Sequence, residues 1–259
     1  MQLKVQDFSP SSENQSPMLV FLHGWGVNCG VFEGLLPFLE EEHTIRFIDL
    51  PGFGSNAHLD ISHLEFAQFC QLVEQQIPNN AILIGWSLGG LVAQQIASSE
   101  NAKTNKIVLI CTSPFFMQEN TCWYGIKPNV LEGFQTQLSS DFKKTLERFL
   151  AIQSLGSDTA RSDLKKIKTQ IFQYDQPREV ALRKGLEYLQ NIDLRDLVGA
   201  EKTQTLRIFG SQDSLVPKKA IEKIKQLDPN GHYELIKGAS HAPFISHTAD
   251  FITALKVFL

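Results

Sequence analysis

A serine placed between a predicted strand and a predicted helix constrains this chain more than any other feature. The apolar, β-branched run at 81–84 predicts a buried strand, and the run at 88–98 predicts a helix. The sequence G-W-S-L-G at 85–89 must therefore form a tight turn. Side chains at its two glycines would collide where strand and helix cross, so we expect Ser87 to be strained and its hydroxyl to point outward. Ser87 is the candidate nucleophile, and the N–H of Leu88 is a candidate oxyanion donor because it lies at the positive end of the helix dipole.

The charge balance argues against several classes of partner. The chain has 259 residues and a formal net charge of −4, which disfavours nucleic acid and anionic membranes. Its first 17 residues are polar, and no stretch approaches the roughly 20 apolar residues of a membrane span. The four cysteines form no metal-binding pattern, so we expect buried, reduced thiols and no metal or cofactor. A cytoplasmic monomer is the simplest interpretation.

Strands and helices alternate at both ends of the chain, as they do in a doubly wound parallel sheet. Between 114 and 190 the alternation stops, and four helical patterns replace it. We therefore expect an α/β core made of 1–113 and 191–259, with an all-helical lid inserted at 114–190. The predicted core strands are 18–22, 44–50, 81–84, 106–111, 205–209 and 232–236. The predicted helices are 31–41, 64–77, 88–98, 128–138, 140–155, 158–174, 178–190, 217–227 and 248–259.

A serine hydroxyl needs a base, and the base needs an acid that holds its tautomer. His241 and Asp213 each follow a predicted strand, at the edge where open α/β sheets place their sites. The chain order Ser, Asp, His is also that of the α/β-hydrolases. His232, His247, Asp193 and Asp196 are alternatives, but none of them lies in a loop directly after a strand.

A glycine loop after the predicted strand at 18–22 supplies a further part of such a site. The sequence H-G-W-G at 23–26 is placed to offer the N–H of Trp25 as a second oxyanion donor. We interpret His23 as a structural hydrogen-bonding residue. The sequence D-L-P-G-F-G, which starts at Asp49, is interpreted as a turn packed near the site.

The lid is more basic than the rest of the chain. It carries 11 Lys/Arg against 9 Asp/Glu, which leaves 13 against 19 elsewhere. Lys144 and Arg148 are four residues apart on one predicted helix, and Arg161, Lys165 and Lys168 follow helical spacing on the next. These stripes suit an acidic partner, although solvated helix faces have the same spacing.

Six stretches together resemble one family of biotin-pathway esterases, those that cleave pimeloyl-[acyl-carrier protein] methyl ester. The likeness extends over nearly the whole chain and includes the lid. The stretches are H-G-W-G (23–26), D-L-P-G-F-G (49–54), G-W-S-L-G-G-L-V-A (85–93), G-I-K-P (125–128), E-R-F-L-A (147–151) and H-A-P-F-I-S-H (241–247).

The resemblance implies an α/β-hydrolase fold, no cofactor, and an acyl carrier protein bearing a methyl pimeloyl chain as partner. It implies that Ser87, Asp213 and His241 form the catalytic triad and that Trp25 and Leu88 hold the ester oxygen. The substrate chain would lie along Phe149, Leu150, Ala151, Ile152 and Gln153. The positions that match carrier-binding arginines are Lys144, Arg148, Arg161 and Lys165, two of which keep the charge without the bidentate geometry of arginine.

The expected reaction is hydrolysis of the methyl ester through an acyl-enzyme on Ser87. Two other functions are compatible with the same residues. One is a broad carboxylesterase or carbon–carbon bond hydrolase acting on free small molecules. The other is a non-catalytic module that binds an acyl carrier.

Overall fold

One mostly parallel sheet organises the molecule. The computed structural model describes residues 2–10, 16–99, 102–119, 122–155, 159–199 and 203–259. Those residues form seven strands: β1 (Val5–Phe8), β2 (Leu19–Leu22), β3 (Ile45–Ile48), β4 (Ile82–Trp86), β5 (Lys106–Ile110), β6 (Gln204–Gly210) and β7 (His232–Ile236). They are arranged in the order β1-β3-β2-β4-β5-β6-β7, with β1 antiparallel and the rest parallel. The predicted α/β architecture is therefore confirmed.

Helices connect these strands. Over the same described ranges the α-helices are α1 (Leu36–Leu39), α2 (Phe66–Glu74), α3 (Leu88–Ala97), α4 (Pro128–Ser140), α5 (Phe142–Ser154), α6 (Ala160–Ile171), α7 (Glu179–Asn191), α8 (Lys218–Leu227), α9 (Pro243–Ser246) and α10 (Thr248–Phe258). No helix within these ranges is long and apolar enough to cross a membrane.

The central strands are buried because their sequences are almost wholly apolar. Every residue of β2 and β4 is buried. Continuous apolar runs of this kind are typical of parallel strands that are covered on both faces. The parallel register brings the carboxyl ends of β2, β4 and β5 to one edge, where the loops that follow them meet.

Two local features differ from the sequence-based expectation. The helix predicted at 31–41 is instead a 3₁₀ helix, Cys29–Leu35, followed by the single turn of α1. Pro37 explains the break, because proline cannot donate the hydrogen bond that a continuous α-helix requires there. Strand β1 was not predicted, since its four residues lie half-exposed at the edge of the sheet. The Phe8 ring of β1 packs against the Phe47 ring of β3, with centroids 5.0 Å apart.

The four helices predicted between 114 and 190 are present as α4 to α7. They pack on one another and are joined to the core by hydrogen bonds. The indole Nε1 of Trp25 donates to the carbonyl of Leu182 at 2.8 Å, and the hydroxyl of Tyr188 donates to that of Leu64 at 2.8 Å. Buried aromatic side chains therefore fasten the lid to the loops at the edge of the sheet.

Candidate active site

Ser87 occupies a strained position between β4 and α3. Its backbone has φ 54° and ψ −117°, a left-handed conformation that residues other than glycine rarely adopt. Its N–H donates to the Ile110 carbonyl at 3.0 Å, and its own carbonyl accepts from the Thr112 hydroxyl at 2.8 Å. The neighbouring strand β5 and its loop thus hold Ser87 in the conformation that its turn requires.

The glycines on either side allow this crossing. A Cβ on Gly85 would lie 2.3 Å from the Gly89 carbonyl oxygen, and a Cβ on Gly89 would lie 2.3 Å from the Leu22 carbonyl oxygen. Both contacts are with backbone, so neither side chain could be accommodated by a change of rotamer. The expected collision between strand and helix is therefore present on both sides of Ser87.

We expect Gly89→Ala to lower the free energy of unfolding by more than about 4 kcal/mol, because backbone on β2 would have to move. Gly133→Ala is the matched control, since it makes the same change inside a helix where a Cβ meets nothing within 4 Å. That control should be neutral or stabilising by up to about 1 kcal/mol. Urea denaturation, monitored by circular dichroism, measures the free energy of unfolding of both variants. Equal midpoints for the two variants would contradict the crossing argument.

Ser87, His241 and Asp213 are brought into one hydrogen-bonded line. The Ser87 Oγ lies 3.0 Å from His241 Nε2, and His241 Nδ1 lies 2.8 Å from Asp213 Oδ2. The other carboxylate oxygen, Oδ1, accepts the N–H groups of Leu215 at 2.8 Å and Val216 at 3.1 Å. Because a carboxylate can only accept, Nδ1 carries the proton and Nε2 is free to accept from the serine.

All three side chains are nearly sealed from solvent. Ser87 is 2% exposed, Asp213 6% and His241 0%. The alternative histidines and acids lie elsewhere: His232 is exposed on β7, and Asp193 forms an ion pair with Arg195. The arrangement suits transfer of a proton from the serine hydroxyl to imidazole in a site shielded from water.

The two candidate oxyanion donors adjoin the serine. Leu88 is the first residue of α3, and a Cβ on Gly24, next to Trp25, would lie only 3.2 Å from Ser87 Cβ. Neither the Trp25 nor the Leu88 backbone N–H has an acceptor within the described ranges. Two unpaired N–H groups beside a nucleophile can stabilise a negative oxygen.

His23 and Asp49 support this loop. The Nε2 of His23 accepts the Leu50 N–H at 2.9 Å, and its Nδ1 lies 2.7 Å from the Gly24 carbonyl oxygen. Burial lowers the pKa of His23, which favours the neutral ring that this pair of bonds needs. The Asp49 carboxylate accepts the N–H groups of Cys29 and Ser55, both at 2.7 Å. These contacts match the structural interpretation of both residues.

The five candidate substrate residues on α5 do not share one face. Phe149 and Leu150 are buried, Ile152 is partly buried, and Ala151 is exposed. An α-helix turns by about 100° per residue, so five consecutive side chains cannot line one channel. Phe149 packs against the candidate oxyanion loop, with its ring centroid 4.6 Å from that of Trp25.

Gln153 occupies an unusual position at the end of α5. Its side chain is 0% exposed, yet neither amide atom has a hydrogen-bond partner among the described residues. Its backbone carbonyl accepts the His241 N–H at 3.1 Å. Buried amides are nearly always satisfied, so Gln153 is a candidate for contact with a polar group that the described residues do not supply.

The four candidate carrier-binding residues are exposed on two adjacent lid helices. Lys144 and Arg148 lie on α5, and Arg161 and Lys165 lie on α6. Within the described ranges none of the four has a carboxylate within ion-pair distance, whereas neighbouring Lys168 lies 3.4 Å from Glu147. The lid therefore presents cationic groups that no described carboxylate neutralises.

Sequence reasoning missed the residues that hold the histidine loop. The Trp86 indole Nε1 donates to the His241 carbonyl at 2.7 Å, and the Ser240 hydroxyl donates to the Leu155 carbonyl at 2.7 Å. Trp86 is adjacent in sequence to Ser87, and Ser240 is adjacent to His241, and that adjacency is the signal that could have identified them.

The cysteines are free, and three are buried as expected. Cys122 is exposed, against the expectation. Cys111 lies close to Asp213 and His241, because its sulfur, one carboxylate oxygen of Asp213 and one ring nitrogen of His241 all lie within 4.8 Å of one another. Burial raises the pKa of the Cys111 thiol, which favours its uncharged form.

Comparison with known proteins agrees with this geometry. Residues 17–248 match the family model of the alpha/beta hydrolase fold. The chain is 43% identical over 240 residues to a pimeloyl-[acyl-carrier protein] methyl ester esterase of Pseudoalteromonas atlantica, which covers 92% of this chain and 93% of the relative. It is 42% identical over 248 residues to the protein of that name from Photobacterium profundum, with 96% of each chain covered.

Solved structures show the same fold at greater distance. An esterase from Exiguobacterium antarcticum superposes with a TM-score of 0.85 at 20% identity, covering 99% of this chain and 94% of that one. A bromoperoxidase from Bacillus anthracis superposes with a TM-score of 0.83 at 21% identity, covering 98% and 94%. The chain belongs to the α/β-hydrolase fold family and, within it, to the pimeloyl-[acyl-carrier protein] methyl ester esterases.

Proposed function

We propose that this protein is a serine esterase that hydrolyses the methyl ester of pimeloyl-[acyl-carrier protein], with Ser87 as nucleophile, His241 as base and Asp213 as the acid that orients it. The observation that carries the proposal is the continuous hydrogen-bonded line from Ser87 through His241 to Asp213, at 3.0 and 2.8 Å. The names of relatives at 43% and 42% identity support the substrate.

The mechanism follows from these contacts. The Nε2 of His241 takes the Ser87 proton while Oγ attacks the ester carbonyl carbon, and the oxygen that becomes negative faces the N–H groups of Trp25 and Leu88. The tetrahedral intermediate collapses, and His241 returns the proton to the departing methoxide, which leaves as methanol. Water then attacks the acyl-enzyme with His241 again as base. The carboxylate is released, and Ser87 recovers its proton.

The exposed cations of the lid complement an acidic carrier. Lys144, Arg148, Arg161 and Lys165 carry charges that are not paired with described carboxylates, on a lid more basic than the core. Opposite charges on two surfaces accelerate encounter and set orientation. We assign the recognition of the carrier protein to this face of α5 and α6.

The buried amide of Gln153 gives the substrate chain a polar contact. We expect Gln153→Leu to raise the free energy of unfolding by about 1 kcal/mol, because it removes an unsatisfied buried amide. It should lower kcat/KM for the methyl ester about tenfold, because a hydrogen bond to the substrate is lost. Thermal unfolding and initial rates measure the two effects.

Gln94→Leu is the matched control for this change. Gln94 is also buried on a helix and has an unpartnered Oε1, but it lies on α3, outside the lid. Its substitution should change the free energy of unfolding without lowering kcat/KM for the methyl ester. Equal losses of rate in the two variants would contradict a substrate contact for Gln153.

The mass of the carrier protein after incubation tests the proposed reaction. The expected product has lost the mass of one methylene, because the methyl ester has become an acid while the thioester to the carrier stays intact. Ser87→Ala should yield no product above the blank. Loss of the whole acyl chain from the carrier would instead indicate a thioesterase and would contradict the proposal.

A further inference from the structure

The end of lid helix α5 is hydrogen-bonded to the histidine loop, residues 237–242 between β7 and α9. The His241 N–H donates to the Gln153 carbonyl at 3.1 Å, and the Ser240 hydroxyl donates to the Leu155 carbonyl at 2.7 Å. Gln153 lies in the last turn of α5, and Leu155 directly follows the helix. Both acceptors therefore belong to the lid, and both donors belong to the core.

The same helix also contacts the candidate oxyanion loop. The Phe149 ring centroid lies 4.6 Å from that of Trp25, and a Cβ on Gly26 would lie 2.6 Å from Leu146 Cδ1. Leu146, Phe149 and Gln153 follow one another at intervals of three and four residues, so they share one face of α5. All three are buried. One face of a single lid helix thus contacts both loops that we propose act on the ester.

The lid supplies the histidine loop with carbonyl groups at the end of a helix. The last carbonyl groups of an α-helix have no partner within the helix, and they carry the negative end of its dipole. The Gln153 carbonyl belongs to this group and accepts the His241 N–H. A helix end that stabilises positive charge therefore adjoins the residue that becomes positive when it takes the Ser87 proton.

The core holds the histidine loop from the other side. The Trp86 indole donates to the His241 carbonyl at 2.7 Å, and the Cys111 thiol donates to the Ser240 carbonyl at 3.7 Å. A Cβ on Gly210, at the end of β6, would lie 2.0 Å from the Ser240 carbonyl oxygen, so the strand and the loop are in close contact. The core thus fixes two carbonyl groups of the loop, and the lid fixes a hydroxyl and an N–H.

We infer that Ser240 is a positioning residue, whose bond to the lid keeps the His241 ring in line with Ser87. Ser240 is 2% exposed, so its buried hydroxyl needs the carbonyl that the lid provides. The base is held correctly only while α5 lies on the core, and the helix that carries Lys144 and Arg148 is part of the scaffold of the base. The inference rests on the proposed function and adds to it a requirement for a seated lid.

Ser240→Ala tests this role, because it removes the hydroxyl and leaves the backbone of the loop in place. We expect kcat to fall at least about tenfold on methyl pimeloyl-carrier and on dimethyl pimelate alike, because a displaced base slows the chemical step. The KM for each ester should stay within about twofold of the wild-type value, because the substitution does not touch the bound ester. The rate at which a fluorophosphonate labels Ser87 should fall by the same factor as kcat.

Ser113→Ala is the matched control. Ser113 is 1% exposed, and its hydroxyl also donates to a backbone carbonyl at 2.7 Å, that of Phe115, which does not lie on α5. The control should lower the melting temperature about as much as Ser240→Ala, because each change removes one buried hydrogen bond, but it should keep kcat. An equal loss of kcat in the two variants, or a higher KM with kcat retained in Ser240→Ala, would overturn the positioning role.

The two esters and the probe separate this inference from the proposed function. A loss of kcat confined to the carrier substrate would place Ser240 in carrier recognition and overturn its role at the base. A wild-type protein that reacts with the fluorophosphonate but hydrolyses neither ester would contradict the proposed substrate. The labelling rates would then still decide the role of Ser240, since a wild-type rate for Ser240→Ala would overturn it.

Discussion

Replacing Ser87 with alanine is expected to lower kcat about 10⁶-fold, because the change removes the oxygen that we propose forms the acyl-enzyme. The fold should be retained, since the backbone of Ser87 is held by the Ile110 carbonyl and the Thr112 hydroxyl and not by its own side chain. Methanol release from the methyl ester measures the rate. Ser246→Ala, which removes a hydroxyl from the same part of the structure as His241, is the control and should keep most of the activity.

A fluorophosphonate probe gives an independent readout of the same prediction. It should label the wild-type protein once and leave Ser87→Ala unlabelled, because only an activated serine reacts. A Ser87→Ala variant that retains more than about a hundredth of the wild-type rate would show that another group is the nucleophile.

Replacing Asp213 with asparagine is expected to lower kcat about 10⁴-fold with little change in KM. The N–H groups of Leu215 and Val216 both bind Oδ1, so the asparagine oxygen must take that place and its NH₂ group must face His241. A donor in that place can only pair with an unprotonated Nδ1. The proton then moves to Nε2, which can no longer accept from Ser87.

The pH dependence distinguishes this tautomer effect from a loss of structure. Asp213→Asn should regain part of its rate at high pH, where His241 is no longer needed to deprotonate the nucleophile, while its melting temperature stays close to that of the wild type. A variant that is inactive at every pH and melts far below the wild type would contradict the tautomer argument.

The site residues that could be predicted from the sequence are those whose positions follow from local rules. Ser87 is set by a strand, two glycines and a helix that are all adjacent in the chain. Asp213 and His241 come from distant parts of the sequence, but both follow parallel strands, and parallel strands end at one edge. The general rule for such sheets was therefore enough to predict that the three would meet.

The remaining features depend on packing that no local pattern encodes. The exposure of Ala151 and the burial of Gln153 follow from how α5 lies on the core. The resemblance assigned residues 149–153 to the substrate as one block, so it could not distinguish the inner face of the helix from the outer face. Strand β1 depends on pairing with β3, which lies far along the chain, since the paired residues Val5 and Ile48 are 43 positions apart.

The fold and the substrate rest on different evidence. Structures near 20% identity share the fold and include an esterase and a bromoperoxidase, so the fold alone does not select a substrate. The basic lid and the relatives near 40% identity are what point to a carrier-bound ester.

The most direct test of the account is the ratio of kcat/KM for methyl pimeloyl-carrier to that for free dimethyl pimelate, measured at low and at high salt with Ser87→Ala as the blank. We expect a large ratio that falls steeply as salt is added, because screening weakens attraction between exposed charges. A ratio near one at both salt concentrations, with the blank inactive, would contradict recognition of the carrier by the lid and would leave a general esterase.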